Sequence, residues 1–153
     1  MDDIDRALIR ALRQDARASW AELGRTVGLS GPSVTERVGR LERDGVIIGY
    51  HAAVDPVALG RSVAALVGVH LTDNSDQDAV GRALEGVDEV EDCWFVAGDE
   101  SFLLKVRVPD VPALESTLSR LRSIRGVARS RTTVVLSTKW EGRTAPPEEA
   151  LRR

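Results

Sequence analysis

The chain has 153 residues, of which 42% are hydrophobic and 29% charged, a balance that suits one globular domain or two small ones and excludes a disordered chain. Its 21 basic and 24 acidic groups give a net charge of −3, which excludes a strongly basic nucleic-acid binder as a whole-chain description but not a local basic face. A single cysteine, Cys93, excludes an intramolecular disulfide and any cysteine-rich zinc or iron–sulfur site.

No apolar run approaches the roughly 18 residues that span a bilayer, and Met1-Asp2-Asp3-Ile4-Asp5 is acidic where a secretory signal is basic, so the expected location is the cytoplasm. Residues 1 to about 45 carry a helical period. Ile4, Leu8, Ala11 and Leu12 share one face of a first helix; Trp20, Leu23 and Val27 share one face of a second. Ser19 with Glu22 three residues on reads as a capping box, and Gly28 as a helix C-terminal glycine. Val34, Val38 and Leu41 mark a third helix, capped by Ser30, with Pro32 in its first turn and Gly45 at its end. The β-branched run Val46 to Val54 predicts a strand or β-ribbon, and Pro56 to Gly60 a connector.

From residue 62 the pattern becomes strand, helix, strand, strand, helix, strand. Val63, Ala65, Val67, Val69 and Leu71 alternate in the first strand, and Ala79 to Val87 suits a helix. Val90–Ala97 and Phe102–Val108 are strands about the turn Gly98-Asp99-Glu100-Ser101. Leu114, Leu118 and Leu121 mark the second helix, and Val127 to Lys139 a long last strand. The order βαββαβ is that of a ferredoxin-like sandwich, an antiparallel sheet with both helices on one face. The fold class is therefore α+β: a winged helix-turn-helix at 1–49, a hinge strand and linker at 50–61, a ferredoxin-like domain at 62–140 and a flexible tail at 141–153. Ala64, Leu66, Gly68 and His70, out of phase with the core positions, make an apolar sheet face that a second copy is expected to cover.

A short turn at Gly28-Leu29 sets the third helix across the second, which is how a recognition helix is presented to a major groove. Projected at about 100° per residue, that helix turns Ser33, Glu36, Arg40 and Arg43 away from its core, with Thr35 and Arg37 flanking and Ser30 at its start. Hydroxyls and N-terminal N–H groups suit phosphate, and an arginine suits guanine. A three-helix packing unit with a solvated charged face is the plain alternative. Residues 1–60 hold 8 basic and 9 acidic groups, so charge alone does not choose between the two.

Leu23-Gly24, Val27-Gly28-Leu29-Ser30, Val34-Thr35-Glu36-Arg37-Val38, Arg40-Leu41-Glu42, Gly45-Val46-Ile47 and Gly49-Tyr50 together resemble the Lrp/AsnC, or feast/famine, family of transcription regulators. The resemblance continues through Asp55-Pro56, Leu59-Gly60, Gly98-Asp99, Gly126-Val127 and Thr132 to Lys139, and spans roughly residues 2–140. It implies a DNA-binding helix-turn-helix, a ferredoxin-like effector domain, dimers that assemble into octamers or other higher forms, pseudo-palindromic DNA as partner and an amino acid as modulator. Glu36 and Gly39 stand where basic residues are frequent in the family, which implies fewer phosphate contacts; about 6 per dimer would give a salt slope of about −5.

The resemblance also implies a small-molecule site at the loop Gly98, Asp99, Glu100 and Ser101. There Gly98 and Asp99 match the family and Ser101 replaces the usual acid that would meet an ammonium, a role left to Asp99 or Glu100. Thr132 and Thr133 are further candidates for this pocket, with an ordinary hairpin turn and ordinary strand propensity as the plain alternatives. Cys93, His51 and His70 have no ligand-like spacing, so no metal or cofactor is expected. Trp94 and Trp140 are expected in a core or interface, and Glu85, Asp88, Glu89, Glu91 and Asp92 on a solvated edge. No Ser-His-Asp, Cys-His or paired-carboxylate arrangement stands out, so the protein is not expected to be an enzyme. The competing readings are a siroheme-decarboxylase-like enzyme of the same architecture and an amino-acid-binding assembly module without DNA binding.

Overall fold

The computed structural model describes residues 1–142, and the expected tail lies outside the described residues from 143 onward. The chain divides into two compact units, Met1–Ala53 (with which Trp140 is grouped) and Val54–Lys139.

The first unit holds α1 (Asp3–Gln14), α2 (Trp20–Val27) and α3 (Gly31–Arg43). Both expected caps form: Ser19 and Glu22 close a capping box on α2, and Ser30 accepts from the Ser33 N–H at the start of α3. A second capping box, which the sequence reading did not include, opens α1 between Asp2 and Asp5. Leu8, Leu12, Leu23, Val34 and Val38 form one buried cluster. Its tightness depends on two glycines. Gly28 ends α2 with φ +73°, a left-handed geometry that side chains with a β-carbon resist. A β-carbon at Gly24 would lie 2.5 Å from the Leu29 carbonyl oxygen, so only glycine lets the turn close on α2.

α3 ends in a Schellman arrangement, with the Val46 N–H donating to Leu41 O (2.9 Å) and the Gly45 N–H to Glu42 O (3.0 Å). The strand or ribbon expected over Val46–Val54 does not form: the segment has no ladder partner among the described residues, and Ile48 is 91% exposed. β-branched side chains favour extension, but a strand exists only where a second strand accepts its hydrogen bonds. The segment is instead tied to α3 by Tyr50, whose O–H donates to Glu42 Oε1 at 2.8 Å. Burial, then the Glu42 carboxylate, pushes this phenol up to about 12.

The second unit holds β1 (Val63–Leu71), α4 (Gln77–Glu85), β2 (Val90–Phe95), β3 (Phe102–Val108), α5 (Val111–Ser123) and β4 (Val127–Val135). The order β2-β3-β1-β4 is antiparallel throughout. Ala65, Val67 and Val69 of β1 and Leu104, Val106 and Val108 of β3 pack with Val80, Leu84, Leu114 and Leu121 into one core on the helix side. β4 stops at Val135, short of the expected Lys139, because Val135 already pairs with Ala64 near the start of β1 and, among the described residues, no strand lies beyond it.

The opposite face is apolar along β1 and where Leu103, Trp94 and Val135 lie beside Gly68 and Ala64, and polar or charged elsewhere. Leu66 is 39% exposed, but Lys105 and Arg107 share Glu91 at 2.7 and 3.0 Å, and Arg107 is buried. Glu89 pairs with Arg120 at 2.5 Å. Glu89 and Glu91 are thus ion-paired rather than simply solvated. Trp94 and Trp140 are exposed rather than in either core.

Candidate DNA interface and effector loop

Leu29, Ser33, Glu36, Arg37, Arg40 and Arg43 line one cleft of about 320 Å³ along α3. Ser30 and Ser33 share a hydroxyl–hydroxyl contact of 2.9 Å, and Thr35 donates back to Gly31 O at 3.1 Å. These hydroxyls satisfy one another locally and lie over the first turn of α3, where free N–H groups favour an anion.

The three arginines are not equivalent. Arg37 Nη1 donates to Asp2 Oδ2 at 2.7 Å and to Asp5 Oδ1 at 2.8 Å. Arg40 Nη2 reaches both oxygens of Asp5, at 3.2 and 3.0 Å. Arg43 has no ion pair among the described residues, and its guanidinium folds back over the space left by Gly39. Asp5 is 1% exposed yet charged and saturated, since its Oδ2 also accepts the Asp2 N–H. The Asp2 N–H, and then Arg37 and Arg40, hold its carboxyl below the ordinary range against the opposing effect of burial. The Asp5 N–H, followed by Arg37, brings Asp2 down to about 2. The same two acids raise Arg37.

Sequence reasoning missed Asp2 and Asp5. A signal was there: Asp5 stands three and seven positions before Leu8 and Leu12, so it falls on the buried stripe of α1.

In the second unit the turn between β2 and β3 is closed by the Val96 N–H on Ser101 O (3.0 Å) and pinned to β1 by the Ser101 N–H on Val69 O (2.8 Å). Glu100 lies over Gly68, which has no side chain to obstruct it, and pairs with Arg131. Asp99 is exposed, 4.0 Å from Arg129, whose Nη2 is 3.4 Å from His70 Nδ1. Nothing lies within 4 Å of where a Gly98 β-carbon would be, so the loop presents open backbone there. His70, Asp99 and Glu100 place ligand-type atoms within 4.8 Å of one another, but a cation there would compete with Arg131 for Glu100. Thr133 pairs with Leu66 and shares the open face with Glu100, whereas Thr132 pairs with Val67 and points to the helix side. The structure therefore brings Asp99, Glu100 and Thr133 to one face and separates Thr132 from them. Arg129, Arg131 and His70, which the sequence reading did not join to this loop, surround it.

Two family descriptions match the chain: the AsnC-type helix-turn-helix domain over residues 1–42 and the Lrp/AsnC ligand binding domain over residues 64–145. The chain belongs to the Lrp/AsnC family. Among its relatives is the HTH-type transcriptional regulator LrpA of Mycobacterium tuberculosis, 44% identical over 96% of this chain and 97% of that protein. The leucine-responsive regulatory protein of Escherichia coli is 38% identical over 89% and 85%. The feast or famine regulatory protein of M. tuberculosis, solved in complex with L-methionine, superposes with a TM-score of 0.89 at 44% identity, covering 95% of this chain and 99% of that one. This Lrp/AsnC chain is thus a transcriptional regulator with a DNA-binding helix-turn-helix and a ligand-binding domain, in the α+β architecture expected from sequence. No helix of the described residues is long and apolar enough to cross a membrane.

Proposed function

We propose that this regulator acts in the cytoplasm, without enzymatic activity, as a dimer that docks the α3 helices of two protomers into successive major grooves of double-stranded DNA, about 34–36 Å apart. Residues 1–49 are the DNA-binding domain, 50–61 the hinge and 62–140 the effector and assembly domain. Ser30, Ser33 and Thr35 meet phosphate near the start of α3; Glu36, Arg37, Arg40 and Arg43 face the groove. The observation that carries this reading is the gathering of three arginines and Ser33 in one cleft on the side of α3 away from its core.

The open sheet face pairs the protomers, with Leu66 at its apolar centre, and dimers join into octamers. An amino acid binds at Gly98, Asp99, Glu100 and Ser101, with Thr133 beside it and Thr132 acting only through the strand. The loop's open backbone and its Asp99 and Glu100 carboxylates support this: an amino acid needs N–H donors for its carboxylate and an acceptor for its ammonium. The relative bound to L-methionine makes that amino acid the first to try.

Footprinting the DNA upstream of the protein's own gene, with and without an amino-acid panel led by L-methionine, tests both halves. A protected site whose extent or affinity changes with one amino acid is expected. Equal binding to scrambled DNA refutes the DNA half, and indifference to every amino acid the effector half. Sedimentation of the protein as a monomer at micromolar concentration refutes the assembly.

A further inference from the structure

Two of the three arginines that line the α3 cleft are held by a buried acid of α1. Arg37 and Arg40 lie one turn apart, and both guanidiniums converge on the carboxylate of Asp5 in the first turn of α1. That carboxylate cannot wander. It is 1% exposed, belongs to the reciprocal capping box with Asp2, and accepts from the Asp2 N–H, Arg37 Nη1 and Arg40 Nη2. Asp2 adds a second carboxylate to Arg37.

The clamp uses only part of each guanidinium. Nε and Nη2 of Arg37, and Nε and Nη1 of Arg40, have no partner among the described residues, and the two side chains remain 26% and 49% exposed. Each arginine therefore keeps one edge fixed by α1 and offers the other outward. A free arginine has to be ordered when it binds, whereas a tethered planar fork arrives already oriented. The clamp has a second effect. Two acids beside two guanidiniums cancel much of the field that draws any duplex, cognate or not, onto the helix.

We propose that Asp5 is a specificity-determining positioning residue of DNA recognition: without touching DNA, it fixes Arg37 and Arg40 in a reading arrangement and suppresses their indiscriminate attraction to phosphate. This rests on the DNA-binding reading above. It predicts that removing the Asp5 charge makes binding stickier and less selective, where loss of a merely structural buried acid would lower stability and leave selectivity alone.

The test uses the full chain. A duplex enriched by the wild-type protein from a randomised pool, and a shuffled duplex of equal composition, are titrated by fluorescence anisotropy from about 50 to 200 mM salt. Asp5→Asn keeps the size and one acceptor oxygen but removes the charge. With one further phosphate engaged per protomer, the dimer's salt slope on the shuffled duplex becomes steeper by about 1.8, a change of about 12-fold across that fourfold salt range. The ratio of enriched to shuffled affinity falls about 10-fold or more. A folded Asp5→Asn protein with wild-type slope and ratio overturns the proposal, as does equal weakening on both duplexes.

Should Asp5→Asn not fold, Asp2→Asn serves, because asparagine still caps α1 while one of the two acids on Arg37 is neutralised. It shifts slope and ratio in the same direction by roughly half as much on a logarithmic scale, and the absence of either shift overturns the proposal. Wild-type protein that binds both duplexes alike sinks the DNA-binding reading itself. Discrimination by the wild type, retained in the variants, sinks only the role of Asp5.

Discussion

The unequal burdens of the α3 arginines predict unequal effects of removing them. Arg43 ends the helix with no ion pair among the described residues, so its charge is wholly available to phosphate. Arg43→Ala then costs one phosphate contact per protomer and two per dimer. At about −0.9 per phosphate the salt slope becomes shallower by about 1.8, and raising salt fourfold weakens the variant about 12-fold less than the wild type. The loss should be the same on enriched and shuffled DNA, since phosphate carries no sequence. Arg37→Ala should behave differently. Its charge is already shared between Asp2 and Asp5, so the slope changes little, while discrimination falls and the thermal midpoint drops because Asp5 is left with one guanidinium. Anisotropy titrations over a salt series, with circular dichroism melts of the same preparations, read both quantities. An unchanged slope in Arg43→Ala, or an equal flattening in Arg37→Ala, refutes the assignment of roles.

Tyr50 is the only tyrosine of the chain, so phenolate absorbance reports it alone, and its midpoint should lie near pH 12. Because that value is raised above the ordinary 10.0, the link to Glu42 contributes fully below about pH 10 and is lost as pH rises through about 12. Glu42→Gln should bring the midpoint part-way back, burial retaining the rest, and a native midpoint near 10 contradicts the bond. Asp2 falls from 3.8 to about 2, so its contribution is full above about pH 4 and disappears as pH falls toward 2. Melts across that window should steepen in the wild type and flatten in Asp2→Asn, and parallel curves count against the clamp. Leu104 is fully buried in β3, between Val67 of β1 and Cys93 of β2, so Leu104→Ala should cost about 2–5 kcal/mol in urea unfolding. A loss below about 1 kcal/mol means that this core is not packed as described.

The elements that could be read from sequence are those whose stabilising partners lie nearby in the chain. The Ser19–Glu22 box, the Ser30 cap and the Gly28 terminus each involve groups three or four residues apart, and each appears in the structure. The two-residue alternation of β1 found its faces because Val106 and Val134 lie opposite Ala65 in either neighbour. Where a partner is remote or lacking, composition misleads. Val46 to Val54 has strand residues but, among the described residues, no strand to pair with, and the last strand ends where β1 begins, although Leu136 is as apolar as its predecessors.

The same distinction explains what was missed in the site. Projecting α3 by itself places Arg37, Arg40 and Arg43 on one side, and they do line one cleft. It cannot place the acids that face them, because Asp2 and Asp5 are 32 to 35 residues away in the chain and reach α3 only through packing. Summing charge over residues 1–60 conceals the same fact: a slightly negative total reads as a weak case for DNA, yet part of it is acid spent holding the arginines. A recognition face with little net charge therefore need not be a poor one. Its arginines are partly neutralised from behind and oriented by that neutralisation. Attraction to any duplex is then weak, and what remains to select a site is the directionality of the N–H groups left over.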